Sequence, residues 1–175
     1  MEAYGKKDYK AAAAEVHKAA AYVRLEAARA AGDTRVALLS LSADLDKVGR
    51  DIGKGTVKDA KWLENKFSRV EHALALSHRV KAAEAWGRKA YDEAGYELKA
   101  AAHGLENAAR WSGNEAKDVA ADAVSGTRAL GDKLIAGGTW AKDEVAKAFE
   151  TLGTAIDRLG QKIGSKVRTA TVKLG

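Results

Sequence analysis

Residues 86–102 read WGRKAYDEAGYELKAAA, and residues 4–20 read YGKKDYKAAAAEVHKAA. The two stretches align when the chain is shifted against itself so that Tyr4 falls on Trp86, and the match resumes from Val48 against Leu130 to Leu74 against Ile156. A repeat of this length, about 82 residues, predicts two structural units of the same design. Two helices of similar amphipathic composition are the alternative explanation. Alanine is common in this chain, so the informative identities over residues 2–27 against 84–109 are Glu2/Glu84, Gly5/Gly87, Lys7/Lys89, Tyr9/Tyr91 and Glu15/Glu97.

The composition is typical of an all-α protein. The 175 residues contain no proline and no cysteine, and 31% of them are charged. Proline usually marks loops and turns, so its absence argues against a loop-rich fold. Alanine, leucine, lysine, glutamate and arginine favour helices. Aromatic residues make up only 6% of the chain, so alanine must fill many core positions and the helix axes should lie close together.

Turns that contain glycine divide the chain, and apolar residues recur between them at spacings of three and four, as in amphipathic helices. The stretch 57–111 has no clear stop, although Ser77 and Glu84 interrupt its apolar stripe. We predict a helical bundle of two tandem three-helix repeats, 1–81 and 82–175, joined by one long central helix. A break near 77–88 that folds all helices into one bundle is the alternative. The five predicted helices cover about 3–31, 34–52, 57–111, 115–135 and 139–172.

The last predicted helix contains three glycines, Gly153, Gly160 and Gly164, each directly after an apolar residue. A glycine inside a helix costs about 1 kcal/mol relative to alanine, so three of them need an explanation. Close approach of a neighbouring helix is one reason, and it would suit self-association. A helix that rearranges is another. Ordinary packing that compensates for the glycines, without a functional role, is the third.

The C-terminal end is basic. The formal net charge is +6, and the last fifteen residues hold Lys162, Lys166, Arg168 and Lys173 without an acidic residue. An apolar helix face flanked by cations is typical of a helix that binds a membrane surface or a partner. Phosphates of nucleic acid would attract the same charges, but the rest of the chain is nearly neutral, so a nucleic-acid partner is the weaker prediction. A solvated end that frays is the remaining interpretation.

Motifs of known enzymes are absent from the sequence. It contains no H-E-x-x-H, no G-x-S-x-G and no Walker loop, and GKGTVKD at 53–59 lacks the spacing of a phosphate-binding loop. The four histidines, His17, His72, His78 and His103, are not spaced as ligands on one helix face. We therefore predict no catalytic residue and no cofactor. A haem, metal or small-ligand site built across several helices is the alternative.

Taken together, these patterns predict a non-enzymatic helical interaction protein. Its amphipathic surfaces would serve self-assembly, a protein partner or an anionic membrane surface. No apolar run approaches the ~20 residues that cross a bilayer. The compartment is not indicated, because Met1 at the edge of the first repeat fits both an extracytoplasmic protein whose leader has been removed and an ordinary cytoplasmic start.

Overall fold

A computed structural model of the protein describes residues 2–57 and 59–167, without the side chains of residues 114–117 and 119. This part of the chain is all-helical, as predicted, and contains no strand. It divides into two compact units, Met1–Lys66 (unit 1) and Phe67–Gly175 (unit 2). The predicted boundary at 81/82 separates two copies of similar sequence, whereas these units are separated by compactness. The predicted boundary therefore stays a prediction. The helices of the described residues are α1 (Glu2–Gly5), α2 (Tyr9–Ala28), α3 (Gly32–Gly53), α4 (Ala60–Gly87), α5 (Tyr91–Trp111), α6 (Asn114–Ile135) and α7 (Lys142–Lys162).

The long central helix predicted over 57–111 is two helices, because the chain turns between Gly87 and Tyr91. Lys89 adopts the left-handed conformation, with φ 62°. Its amide donates to the Trp86 carbonyl at 2.9 Å, and the next amide, of Ala90, donates to the Ala85 carbonyl at 2.9 Å. This pair of hydrogen bonds is the Schellman motif that ends many helices. Glycine usually occupies the left-handed position, so a lysine there gives little sign of a stop in the sequence.

The same helix ending divides the first predicted helix into α1 and α2. Lys7 has φ 61°, its amide donates to the Tyr4 carbonyl at 3.0 Å, and the Asp8 amide donates to the Ala3 carbonyl at 2.9 Å. Lys7 and Lys89 are related by the same offset that aligns the two similar stretches of sequence. These two divisions account for the difference between five predicted helices and the seven of the described residues.

Other helix ends recur at the same offset. Gly55 after α3 and Gly137 after α6 both have φ 66°, and both close Schellman motifs. The sequence pattern places these two turns one residue out of step, whereas their backbone conformations match in register. Three pairs of helices also begin at positions related by this offset: α2 and α5 at 9 and 91, α3 and α6 at 32 and 114, and α4 and α7 at 60 and 142.

The last helix is shorter than predicted. α7 ends at Lys162, because Gly164 adopts φ 62° and the Ser165 amide donates to the Gly160 carbonyl at 2.8 Å. Residues 165–167 are not helical, so Val167 does not continue the apolar stripe of α7. The rest of the predicted helix, 168–172, lies outside the described residues.

Unit 1 is organised around the antiparallel contact of α2 with α3. The Ser42 hydroxyl of α3 donates to the Ala20 carbonyl of α2 at 3.0 Å. The imidazole of His17 lies over Gly49, where a Cβ would come within 2.8 Å of the ring. Both contacts bring the two helices close enough to bury a small aliphatic core, which contains Val16, Val23, Leu38, Leu45, Val48 and Ile52.

Unit 2 packs the Phe67–Gly87 part of α4 with α5, α6 and α7 around an alanine-rich core. Two backbones come close at Gly95 of α5 and Gly131 of α6, since a Cβ on Gly95 would lie 2.7 Å from the Gly131 carbonyl oxygen. α4 and α5 also approach closely, and the Ser68 hydroxyl donates to the Ala108 carbonyl at 2.8 Å. The thin core predicted from composition is present in this unit, where all four helices contribute buried alanines together with leucine.

Candidate functional site

α4 directs three polar side chains at the backbone of α7, and together they form what we term the α4–α7 polar seam. Each donates a hydrogen bond to a main-chain carbonyl, and the acceptors recur at heptad spacing, so they lie on one side of α7. The pairs are Arg79 Nε with Phe149 O at 3.2 Å, His72 Nε2 with Ile156 O at 3.0 Å and Arg69 Nε with Ile163 O at 3.2 Å.

The glycines of α7 make this seam possible. A Cβ on Gly153 would lie 2.8 Å from the Arg79 guanidinium, and a Cβ on Gly160 would lie 2.6 Å from His72 Nε2. In a helix the Cβ tilts toward the N-terminus, so the residue at i+4 shields the carbonyl of residue i. Glycine four residues after Phe149 and Ile156 leaves those carbonyls open to the side chains of α4.

All three glycines that the sequence singled out therefore face α4. Gly153 and Gly160 are buried inside unit 2, and their space is occupied by side chains of the same chain. Gly164 ends α7, and its nearest neighbour across the seam is the Arg69 guanidinium at 3.4 Å from a built Cβ. A role for these glycines in self-association stays a prediction.

Burial governs the charges of the seam. It lowers the pKa of His72, with the hydrogen bond to Ile156 and the charge of Asp157 acting in the opposite direction. The imidazole is thus neutral at neutral pH, and because Nε2 donates to a carbonyl, Nδ1 is the bare nitrogen. Nδ1 is buried and has no hydrogen-bond partner among the described residues. Burial also lowers the pKa of Arg79, which nonetheless stays charged.

A second polar cluster lies where α4 meets α5. Burial raises the pKa of Glu71, and a hydrogen bond with Asn107 opposes that shift. Asn107 also contacts the His103 ring at 3.1 Å between Nδ2 and Nε2, and His78 Nδ1 lies 2.6 Å from the Glu97 carboxylate. These side chains bond to one another across or along the two helices.

Each of the four histidines thus has a different partner. His17 of unit 1 lies 3.0 Å from Asp46, and this hydrogen bond is the main cause of the lowered pKa of that carboxyl. Across residues 2–57 and 59–167, no group of three or more His, Asp or Glu side chains is arranged to hold a metal ion. The described part of the chain therefore shows no assembled set of such ligands that would support the haem, metal or small-ligand alternative.

Three aromatic rings form a cluster at one end of unit 2. Trp86, Tyr91 and Trp140 contact one another with ring centroids 4.7–5.0 Å apart. A groove of about 550 Å³ beside them is also lined by Lys89 and Lys142. The cluster packs the turn between α4 and α5 against the start of α7, so these rings hold this turn in place.

Several of the other aromatic side chains lie near helix ends. In unit 1 the rings of Tyr4 and Tyr9 are 5.8 Å apart, and Trp62 is partly exposed beside the Lys66 ammonium. In unit 2 the ring of Trp111 packs on Phe67 at 5.4 Å.

An exposed surface of α2 was not predicted from the sequence. Tyr22 is 49% exposed and Leu25 is 64% exposed. They lie along one side of α2 with the exposed Glu15 and Arg29 and the half-buried Ala19, at spacings of three or four residues, and we term this side the α2 face. No apolar stripe identified in the sequence contains Tyr22 or Leu25, so the available signal was two large apolar residues outside the predicted stripe of this helix.

The predicted basic surface is only partly described. Lys162 is exposed in the last turn of α7, and Lys166 is exposed after the helix ends. Arg168 and Lys173 lie outside the described residues. None of the described helices combines the length and the apolar character that crossing a bilayer requires.

Comparisons of the chain with protein-family models, with curated proteins and with solved structures gave no match. The geometry of the two units is therefore the basis for a functional interpretation.

Proposed function

We propose that this chain is a non-enzymatic interaction protein, built from two copies of one helical repeat, that binds another helix on the α2 face. The duplication relates α2, α3 and α4 to α5, α6 and α7. The observation that carries the proposal is the difference in exposure between two equivalent surfaces, one on α2 and one on α5.

Equivalent contacts in the two units support the duplication. His17 lies over Gly49 in unit 1, and Lys99, its counterpart in the second copy, lies over Gly131 in unit 2. At another pair of positions the small and large residues are exchanged: Ala13 meets Gly53 in unit 1, whereas Gly95 meets Ile135 in unit 2. Each of these contacts thus keeps a glycine on one of its two helices, as expected for two diverged copies of one design.

The surface of α5 that corresponds to the α2 face is covered by α4. Glu97 pairs with His78, Ala101 is fully buried, and a Cβ on Gly104 would lie 3.1 Å from backbone atoms of α4. The equivalent residues of α2 are Glu15, Ala19 and Tyr22, two of which are identical to their counterparts in α5. In the second copy this surface packs against a helix. In the first copy its counterpart exposes Tyr22 and Leu25 to solvent.

Exposed large apolar side chains are more frequent in unit 1 than in unit 2. Removing apolar surface from water is energetically favourable. The concentration of exposed apolar side chains in unit 1 therefore favours a binding role for that unit. Among the described residues they are Tyr9, Tyr22, Leu25, Val36, Leu39 and Trp62 in unit 1 and Tyr96 in unit 2.

The alternatives have less support. The anionic membrane and nucleic-acid hypotheses depend on the basic C-terminal end, where α7 stops at Lys162 and two of the four cations lie outside the described residues. Flotation with neutral and anionic liposomes, on the full chain and on a version that ends at Gly160, tests the membrane hypothesis. Binding that requires anionic lipid and the C-terminal end would support it over the α2 face.

Site-specific photo-crosslinking tests the proposal. A benzophenone amino acid at position 22 or 25 should give a discrete adduct in cells that make the protein, identified by mass spectrometry. The same group at Tyr96, an exposed residue of unit 2, is the matched control and should give none. Absence of a discrete adduct from positions 22 and 25, or equal adducts from all three, would contradict binding at the α2 face.

A further inference from the structure

We infer that the groove between α5 and α6 of unit 2 binds a small amphiphilic acid, an apolar chain that ends in a carboxylate. This groove is separate from the α2 face, and only the equivalence of its residues with residues of unit 1 rests on the proposed function. Three of its properties favour such a ligand: an apolar floor of suitable size, the absence of side chains that are present in unit 1, and a surplus of positive charge at the rim.

The groove has the size and the lining of a small-ligand site. Its volume is about 710 Å³, within the range of roughly 300–1,000 Å³ that is typical of such sites. An apolar chain laid along the floor would remove apolar surface of both partners from water, which is favourable. The floor consists of small apolar side chains, those of Ala109, Ala120, Ala121, Val124 and Ala129.

Side chains that occupy the equivalent positions of unit 1 are missing from the groove. Ala120 and Ala121 of α6 correspond to Leu38 and Leu39 of α3. Leu38 is fully buried in unit 1, whereas the much smaller alanine stands at its position in unit 2. Replacing a buried leucine by alanine usually destabilises a protein, because it leaves unfilled space. A ligand that binds the folded state in that space offsets the loss.

A further difference between the two copies adds a cation to the same groove. Arg110, in the last turn of α5, corresponds to Ala28 of α2. Because α5 and α6 run antiparallel, Arg110 lies toward the end of the groove formed by Ala120 and Ala121. Arg110 is exposed, and among the described residues it makes no hydrogen bond or ion pair. Relative to the first copy, the second has therefore lost bulk and gained a positive charge in one place.

The other charged groups at the rim are already paired. Arg128 donates to the Glu106 carboxylate at 2.8 Å, and Lys99 donates to Asp132 at 2.5 Å. The hydrogen bond from Arg128 lowers the pKa of Glu106, and the charges of Arg128 and Arg110 lower it further. Two guanidinium groups thus act on one carboxylate. The surplus positive charge is complementary to the acid group of a ligand.

The dimensions of the groove favour a small molecule over a helix. Its wall on α6 runs from residue 120 to residue 132, about 18 Å along the helix axis. Its wall on α5 is a single turn, residues 106–110. A bound helix is anchored by residues spread over about two turns, and α5 offers no wall of that length here.

Titration with decanoate tests the inference. Decanol and decyltrimethylammonium have the same chain length without the negative charge and are the matched probes. At concentrations below those at which micelles form, decanoate should bind the full chain saturably and one to one, measured by amide shifts in nuclear magnetic resonance. It should bind about tenfold more tightly than decanol, and the cation should bind more weakly than decanol. Absence of saturable decanoate binding, or equal binding of the three probes, would overturn the inference.

Variants that fill the groove locate the bound acid. Ala121→Leu restores the side chain found in the first copy and should weaken decanoate binding about tenfold, because it occupies the floor. Ala129→Leu fills the same groove from a second exposed position and should have the same effect. Leu39→Ala makes the reverse exchange at the equivalent position of unit 1 and should leave decanoate binding unchanged. Circular dichroism and urea denaturation check that each variant keeps the helical fold.

Variants at the rim test the role of charge. Arg110→Gln should weaken decanoate binding about tenfold and leave decanol binding unchanged. Glu106→Gln should strengthen decanoate binding several-fold, because it releases Arg128 to the ligand. Decanoate binding that is insensitive both to filling of the groove and to Arg110→Gln would overturn the inference.

The outcome is separate from that of photo-crosslinking at positions 22 and 25, because the two sites belong to different units. Adducts at the α2 face without decanoate binding would contradict the groove alone. Decanoate binding without those adducts would contradict the α2 face alone.

Discussion

Gly160 of α7 and His72 of α4 share one site, because a Cβ on Gly160 would lie 2.6 Å from the Nε2 atom that donates to the Ile156 carbonyl. His72 is 1% exposed, so the ring has little room to move away. The missing side chain of Gly160 thus leaves the space that the buried ring of His72 occupies.

Gly160→Ala should therefore destabilise the protein by about 1–3 kcal/mol, since the new methyl group forces a buried ring to move. The matched control is Gly126→Ala in α6, where no atom lies within 4 Å of a built Cβ. That change should stabilise the protein by about 1 kcal/mol through helix propensity. Chemical denaturation measures both. Stabilisation of the two variants by the same amount would show that the seam tolerates a side chain at 160.

The stability of the protein should fall between pH 7 and pH 5, in part because of His72. Burial lowers its pKa, so below about pH 6.5 the unfolded state takes up a proton that the folded state does not. The free energy of unfolding therefore decreases as the pH is lowered. Asp157 of α7 is the charged group that acts on this ring, and its effect opposes that of burial.

His72→Gln keeps a donor for the Ile156 carbonyl and removes the titrating group. We expect a smaller loss of stability between pH 7 and pH 5 in this variant, measured by urea denaturation at several pH values. The other three histidines are present in both proteins, so the comparison isolates the effect of position 72. Parallel pH profiles for the two proteins would mean that folding does not change the pKa of His72.

Glu71 should have the opposite pH dependence. Burial raises its pKa, so its contribution to stability is full below about pH 4.5 and is lost as the pH rises through the folded-state value. Glu71→Gln removes the ionised form. The stability of the variant relative to the natural protein should increase from pH 4 to pH 7, measured by denaturation. An equal difference in stability between the two proteins at pH 4 and at pH 7 would contradict a raised pKa of Glu71.

Lys89→Gly should stabilise the turn between α4 and α5. Lys89 has φ 62°, a conformation that costs a residue with a side chain roughly 1–2 kcal/mol and costs glycine little. We expect a gain of about 1 kcal/mol in the free energy of unfolding. Lys147→Gly, at an exposed position inside α7, is the control and should lose about 1 kcal/mol. A loss in both variants would indicate that the Lys89 side chain contributes contacts that outweigh its backbone strain.

The fold class and the main apolar stripes could be predicted from the sequence. Spacings of three and four, glycine after the ends of α3 and α6, and the absence of proline are local signals, and local signals determine where helices form. The bounds predicted for the helices at 34–52 and 115–135 agree with α3 and α6 to within two residues. The division at Lys7 was missed, and the one at Lys89 was considered only as the alternative of a break near 77–88, because a helix stop at lysine depends on hydrogen bonds that residue type does not indicate.

Candidate sites were harder to predict, because they also depend on contacts that residue type does not indicate. The sequence identified Gly153, Gly160 and Gly164 as unusual, but their neighbours belong to α4, a helix far earlier in the chain. Nothing in the spacing of residues within α7 predicts that Arg79 and His72 fill the space beside two of those glycines. Likewise, Tyr22 and Leu25 become a recognisable surface only when α2 is compared with the covered surface of α5.

The sequence by itself thus determined the helical character of this protein, the positions of most helices and the correspondence between its two similar stretches, since these follow from periodicity and propensity along the chain. The tertiary structure decided which helix faces are buried, which polar groups lose water and have their pKa values shifted, and which face of α2 is left exposed. These properties depend on contacts between residues far apart in the chain, and burial is set by the whole arrangement of neighbours rather than by any local segment.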